Sequence, residues 1–317
     1  MQHDHDCGST IASQVEVLPG CPFRWLARIV FFLLIMLSSE LNADLHSHSI
    51  ISDGVLAPAQ LAARAKSNGV ELWALTDHDE VRGIPEARAA ARDLGMRYVP
   101  GVEISVTWAG KTIHIVGLNI DETNQGLVDG LAKTRSGRES RARDMAAELA
   151  SRSGILNAYE GALKYVGNPD LISRSHFARY LVEIGASATV SDVFKHYLAE
   201  GKPGYVPHRW ATLSDAVGWI RNAGGVAVVA HPGRYDLTPL AFDAFFTEFK
   251  NLGGLAIETI TGSHTVDQYD EYTKIAAQYG FLSSRGSDFH SPQDAEIDIG
   301  CLPVLPSMAK PVWETWV

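Results

Sequence analysis

The chain has 317 residues, and 27 Lys and Arg against 37 Asp and Glu give it a formal charge of −10. A hydrophobic share of 46% and a charged share of 20% exclude a disordered, collagenous or coiled-coil chain and leave one large domain or two ordinary ones. Three cysteines (Cys7, Cys21, Cys301), none in a CxxC pair, exclude a disulfide framework and a thiolate zinc site, so any metal would rest on histidines and carboxylates.

Ile29 to Leu37 is an unbroken apolar run. It falls short of the ~20 residues a bilayer span needs, but it has the length of a signal-peptide core. Residues 1–40 are read as outside the fold, with three alternatives open: a signal-like or anchoring segment, a structured extension, or sequence upstream of a start at Met36. A cytoplasmic location is expected, with export or anchoring as the alternative that this run leaves.

The fold is expected over residues 41–310. Leu41 to Leu45 reads as a strand, and Pro58 to Asn68 as a helix with Pro in its first turn and Gly69 as its stop. Then come strand Val70–Leu75, helix Pro85–Leu94 stopped by Gly95, and a short strand Arg97–Val99. Ile104–Val106 and Thr112–Leu118 read as a strand pair around Ala109-Gly110.

Between about Asn124 and Pro207 strand patterns vanish, and helices are expected over 141–152, 175–184 and 190–199. Basic residues outnumber acidic ones in this stretch, with Lys133, Arg135, Arg138, Arg141 and Arg143 close together. The segment reads as a helical insertion, 124–207, covering the mouth of the domain as a substrate cap. Beyond it, Thr212 with Asp215 predicts a capping box for a helix ending at Gly224. Strand Val226–Val229, a helix opened by Thr238-Pro239, strand Leu255–Glu258, helix Thr265–Tyr279 and strand Phe281–Ser284 complete the chain. Repeated strand–helix units predict an α/β fold with a parallel sheet. Closure into a barrel is favoured over an open sheet because polar residues gather at strand ends.

His46 and His48, two apart on a strand, point to one face and could share a cation, with Asp53 a short loop away. His78 in Thr76-Asp77-His78-Asp79 ends the next strand, and Glu103 follows Pro100-Gly101. His114 lies in the strand after that, His231 follows strand 226–229, and Asp288 and His290 follow the last strand. Any one of these could be a satisfied structural residue, and Asp77 or Asp79 could simply cap a turn. Six histidines and three carboxylates on one rim point instead to zinc, manganese or iron. Nine ligands are too many for one ion and imply two or three.

The motifs DLHSHS (44–49), TDHD (76–79), PGVE (100–103), AHPGRY (230–235) and GSDFH (286–290), in that order, resemble the PHP (polymerase and histidinol phosphatase) metallophosphoesterase family over roughly residues 41–305. ISRSHFAR (172–179), GKPGYVPH (201–208), Ile257-Glu258 and TGSH (261–264) are similar to its bacterial branch of nucleoside 3′,5′-bisphosphate phosphatases and 5′→3′ exoribonucleases. The resemblance implies a distorted seven-stranded β/α (TIM-like) barrel and two or three divalent ions. Mn²⁺ is the expected metal, with Zn²⁺ and Fe²⁺ as alternatives. It implies one ion on His46, His48, Glu103 and Asp288, a second on Glu103, His114 and His231, and a third on Asp53, His78 and His290. His46, His48, Glu103, His231 and Asp288 would then serve catalysis by a metal-bridged hydroxide.

A remaining substrate phosphate needs cations, for which Arg135, Arg174, Arg179, Lys202, Arg209 and Arg234 are candidates. His176, His208 and His264 could bond phosphate or protonate the leaving oxygen. The expected substrate is a small nucleotide or short RNA rather than duplex DNA, because no broad basic face is visible. No stable membrane partner is expected, and protein partners are not readable. Two rivals remain: a histidinol-phosphatase-like enzyme for a small metabolite, and a non-catalytic metal-bound scaffold.

Overall fold

The computed structural model describes residues 41–316, so the readings made for residues 1–40 lie outside the described residues. Seven strands run in sequence order around one sheet: β1 (Ala43–Asp44), β2 (Leu72–Leu75), β3 (Arg97–Trp108), β4 (Lys111–Leu118), β5 (Val226–Val229), β6 (Ala256–Thr261) and β7 (Leu282–Gly286). The ring closes between its ends: Leu45 N–H donates to Arg285 O at 2.9 Å, Asp288 N–H to His46 O at 2.8 Å and His48 N–H to Phe289 O at 2.9 Å. Gly286 is required at this seam, where a Cβ would stand 2.3 Å from the Cβ of His46.

Two features differ from the sequence expectation. Residues 97–99 and 104–106 belong to one twelve-residue strand, β3, which runs straight through Pro100. Pro100 turns its N and O toward β4 just beyond the last rung, Gly101 opposite Leu118, where no N–H is needed. The sheet is also not wholly parallel, since β4 is antiparallel to both β3 and β5. That reversal brings the N-terminal half of β4, with His114, to the rim where the other strands end.

Helices α1 (Pro58–Ser67), α2 (Ile84–Asp93), α3 (Gln125–Arg135), α8 (Leu213–Asn222), α9 (Pro239–Asn251) and α10 (Val266–Tyr279) accompany the strands. Each strand is buried on both faces, hence the near-continuous apolar runs. One parity (Leu72, Ala74, Val99, Val116, Val226, Val228, Ala256) forms the barrel interior with Leu302, Leu305 and Trp313. The other (Val102, Ile104, Ile113, Ile115, Val229) packs outward on α8 and α9 through Val217, Ile220, Phe245 and Phe249. The inward parity continues to the rim, placing Glu103 and Ser105 of β3, His114 of β4 and Glu258 of β6 inside the mouth.

Between β4 and β5 the chain is helical. α3 packs on the barrel, with Leu127 and Leu131 in the outer cluster. α4 (Arg138–Ser153), α5 (Ala158–Leu163), α6 (Arg174–Glu183) and α7 (Val190–Val193) share a separate cluster that includes Met145, Leu149, Phe177, Leu181, Val193 and Leu198. The helix expected over 190–199 is α7 followed by one wider π turn, Phe194–Leu198. Among the described residues no helix is long and apolar enough to cross a membrane.

The seam depends on a buried arginine. Arg285 donates to the carbonyls of Ala43 and Leu302, to Pro303 O at 2.7 Å and to Asn42 Oδ1 at 2.8 Å, beside the buried carboxylate of Asp44. Arg285→Met removes the cation from buried oxygens and is expected to cost about 3–5 kcal/mol of unfolding free energy, measurable by urea denaturation.

Candidate metal centre and phosphate-binding cavity

Glu103 sits at the centre of the mouth and is fully buried. Its Oε2 lies 2.9 Å from His78 Nδ1 and 3.3 Å from the Nε2 atoms of both His46 and His48. Its Oε1 lies 2.9 Å from His114 Nδ1 and 3.1 Å from His231 Nε2. Asp288 Oδ1 stands 3.2 Å from His48 Nε2, and Asp53 Oδ1 stands 3.2 Å from His290 Nε2. Burial alone would raise the Glu103 carboxyl, but the imidazoles of His78, His114 and His46 hold it well below the usual carboxylate range.

The donor set fits divalent cations. His46 Nε2 and His48 Nε2 face each other at 3.1 Å, a separation suited to two lone pairs converging on an ion. Among the described residues, Glu103 Oε2, Asp53 Oδ1, His78 Nδ1 and His114 Nδ1 are buried without a hydrogen-bond partner. Three overlapping groups have the spacing to hold an ion: His46, His48, Glu103 and Asp288; His48, Asp53, His78 and His290; and His78, Glu103 and His114. The first matches the resemblance-based set. The second adds His48 to the expected third set. In the third, His78 stands where His231 was expected, while His231 keeps its contact with Glu103.

Neighbours aim these ligands. His46 Nδ1 lies 2.7 Å from Glu258 Oε1, and a proton there leaves Nε2 free to face the cluster. The other Glu258 oxygen accepts the His231 N–H at 2.6 Å. Tyr235 Oη accepts the His114 N–H and donates to Ala230 O, both at 2.9 Å, stitching β4 to the turn that carries His231. Asp77 accepts from Ser49 N–H at 2.8 Å and from the hydroxyls of Ser49 and Ser52 at 2.7 and 2.6 Å, fixing the loop that carries Asp53. Asp79 takes the Ser105 N–H at 2.8 Å and pairs with Arg138. Asp79, His231 and Asp288 all have positive φ (50°, 29° and 56°), so local strain is concentrated at the site.

A cavity of about 580 Å³ opens on this cluster. Of the sequence candidates, Arg174, Arg179 and Arg234 line it, joined by Arg138 and Arg141 of the basic run. Arg234 donates to Asp288 Oδ2 at 3.0 Å. Arg141 is pushed down to about 9 by burial and by Arg174 and Arg138, and Arg174 is lowered by burial and by Arg234. Arg138 and Arg141 lie 4.6 and 5.3 Å from the Trp210 ring centre, and Arg174 lies 5.6 Å from that of Phe194.

Six other candidates do not reach the cavity lining. Arg135 donates to Asp79 O at 2.5 Å and faces Glu80 at 3.6 Å, while Lys202 and Arg209 are exposed elsewhere. His208 packs on Trp210 at 4.2 Å between ring centres. His176 is buried in the α6 cap, its Nδ1 accepting the Ser173 N–H at 2.9 Å. His264 accepts the Gly233 N–H on Nε2 at 2.9 Å and stacks on Tyr272, bracing the turn that carries Arg234. Burial lowers both His176 and His264 to about 4, so neither is a cation near neutral pH. Sequence reasoning missed Glu258 as the partner of His46 and His231. Its position two residues beyond Ala256, on the inward parity, was the available clue.

Geometry of this kind, a seven-stranded β/α barrel with a histidine–carboxylate cluster at its mouth, defines a β/α-barrel protein able to bind metal. A family model described as PHP domain matches residues 44–283, and the chain belongs to that family. It is 46% identical over 272 residues to a 3′,5′-nucleoside bisphosphate phosphatase of Chromobacterium violaceum, covering 86% of this chain and 95% of that protein. It is 42% identical over 275 residues to the 5′-3′ exoribonuclease Rnm of Salmonella typhimurium, covering 86% and 93%. A solved Chromobacterium violaceum structure, described as an amidohydrolase with bound sulfate and no metal, superposes with a TM-score of 0.83 at 46% identity, covering 86% and 95%. With such relatives the chain is a phosphoester hydrolase.

The His264 environment sets a pH dependence. Its proton affinity falls from the ordinary 6.5 to about 4 on folding, so the unfolded chain binds the extra proton between those values. Stability is therefore full above pH 6.5 and declines as pH falls toward 4, by roughly 1.4 kcal/mol per pH unit for this one group. His264→Gln is expected to make the pH dependence of urea unfolding shallower by about one proton over that window.

Proposed function

We propose that the protein releases phosphate from nucleoside 3′,5′-bisphosphates to give nucleoside 5′-monophosphates, and trims short RNA in the 5′→3′ direction with the same site. The observation that carries this reading is the pairing, in one cavity, of a cation-binding cluster with Arg141 and Arg174. Among the described residues no carboxylate forms an ion pair with either arginine. A substrate with one phosphate at the cluster and a second on those arginines fills both ends. A histidinol-phosphate-like metabolite has only one phosphate and leaves the arginines unmatched. A purely structural metal role leaves the whole cavity without purpose.

Two or three divalent ions, Mn²⁺ in our reading, would be held by His46, His48, Asp53, His78, Glu103, His114, His231, Asp288 and His290. They would supply a water nucleophile of lowered pKa and neutralise charge on the phosphoryl oxygens. The protein's own part is placement. Arg234 sits at the cluster edge on Asp288, where its guanidinium can meet a phosphoryl oxygen. Arg141 and Arg174 hold the second phosphate. Helices α4 to α7 act as a cap, and Thr189, Ser191 and Phe194, in and beside α7, offer a less charged wall to the nucleoside. A cytoplasmic location goes with this substrate class. The sulfate held by the Chromobacterium violaceum structure supports tetrahedral-anion binding in this fold.

The direct test is phosphate release from adenosine 3′,5′-bisphosphate in Mn²⁺, compared with histidinol phosphate. Preference for the bisphosphate is expected, and equal rates would favour the metabolite reading. Asp288→Asn and His231→Ala are each expected to lower turnover by on the order of 1,000-fold and to reduce bound metal, with circular dichroism unchanged. Full activity in either variant would remove the cluster from the mechanism.

The arginines give a separate prediction. Arg174→Ala should raise KM for the bisphosphate by roughly tenfold or more, whereas Lys202→Ala, outside the cavity, should leave it unaltered.

A further inference from the structure

Asp53 faces two ways. Its Oδ1 points into the cluster, 3.2 Å from His290 Nε2 and 3.9 Å from His78 Nε2. Its Oδ2 accepts the Ser173 hydroxyl at 3.0 Å, and its backbone carbonyl accepts from Arg179. Ser173 is the N-cap of α6. Its hydroxyl also accepts the Ser175 N–H at 3.2 Å, and its own N–H donates to His176 Nδ1 at 2.9 Å, a capping box with histidine in place of the usual Glu or Gln. The next residue in the chain is Arg174. The two segments are in close contact elsewhere as well, since a Cβ on Gly167 would stand 2.9 Å from Ile50 O.

We propose that Ser173 is a positioning residue that links cation occupancy at His48, Asp53, His78 and His290 to the placement of α6, and through it to the placement of Arg174. An ion on Oδ1 stops the carboxylate from rotating, so Oδ2 is presented to Ser173 in one direction and the start of α6 is pinned. Without the ion the carboxylate can swing, and the start of α6 loses the Ser173 contact while Arg179 still holds the Asp53 carbonyl. Linkage makes the effect reciprocal: a phosphate seated on Arg174 strengthens cation binding at Asp53. The inference rests on the proposed function for the roles of the cluster and Arg174, but the link between them can be read without turnover.

The test is hydrogen–deuterium exchange on the full chain with and without Mn²⁺, following peptides from residues 174–183, with metal content measured in parallel. In the native protein Mn²⁺ is expected to slow exchange in α6 by on the order of tenfold, the worth of one hydrogen bond to a charged group. Ser173→Ala should abolish that response while α10 behaves as before, and Ser173→Thr should restore it. In kinetics, Ser173→Ala should raise KM for adenosine 3′,5′-bisphosphate by more than it lowers kcat. An equal Mn²⁺ response in Ser173→Ala, or none in the native protein, overturns the proposal. So does a loss confined to kcat in proportion to lost metal. Mn²⁺-dependent protection of α6 in a protein that hydrolyses no phosphoester would support the link and sink the functional reading alone.

Discussion

A carboxylate buried among imidazoles is the interaction on which the mouth of this barrel depends. Glu103 is fully enclosed, and five histidine nitrogens lie within 3.3 Å of its two oxygens. A carboxylate in that position is costly unless positive charge comes with it. Protonating several crowded imidazoles is a poor answer, because they repel one another. Divalent cations answer it better: they compensate Glu103 and use lone pairs that otherwise have no partner. The barrel is shaped around this need. The inward parity of β3 delivers Glu103, the reversal of β4 delivers His114, and positive φ at His231 and Asp288 aims the residues that follow β5 and β7. That strain is held by the His231 N–H on Glu258 and the Asp288 N–H on His46 O.

Much of this was legible because strands and metal sites both write short-range rules into sequence. His46 and His48 share a face by period two, and Gly or a cap residue marked most helix ends, as at Gly69, Gly95, Gly224 and Thr238. What escaped was direction. His176 and His264 sit in motifs beside the site, and their side chains look equally suited to phosphate. Yet one completes a helix cap and the other braces a turn, both buried and neutral. No local pattern separates a histidine that faces a cavity from one that faces the core one residue further round a helix. Arg135 and Arg138 make the same point. Three residues apart in the basic run, one is spent on Glu80 and the Asp79 carbonyl, and the other lines the cavity.

The charge distribution follows from the division between the barrel and the helices inserted between β4 and β5. A net charge of −10 belongs to the whole chain, whereas the cavity wall brings together five arginines. An acidic exterior with a basic interior does not attract polyanions in general and admits those small enough to enter. The helices between β4 and β5 have their own apolar cluster, so they can carry Arg138, Arg141 and Arg174 to the cavity wall without drawing on the barrel core. Their attachment to the rim is polar instead, through Arg138 on Asp79 and through Ser173 and Arg179 on Asp53.

Two arginines without a counter-charge among the described residues are a standing cost to the folded state. Burial and mutual repulsion lower both Arg141 and Arg174, and neither can relieve the strain by losing its proton at neutral pH. In the proposed function, a second phosphate on the substrate would supply the missing charge. A ligand lacking it leaves the cost in place, and its transition state is penalised by the same amount. Under the proposed function, selectivity for doubly phosphorylated substrates would therefore need no steric gate: it would follow from cations that the described residues hold in place but do not neutralise.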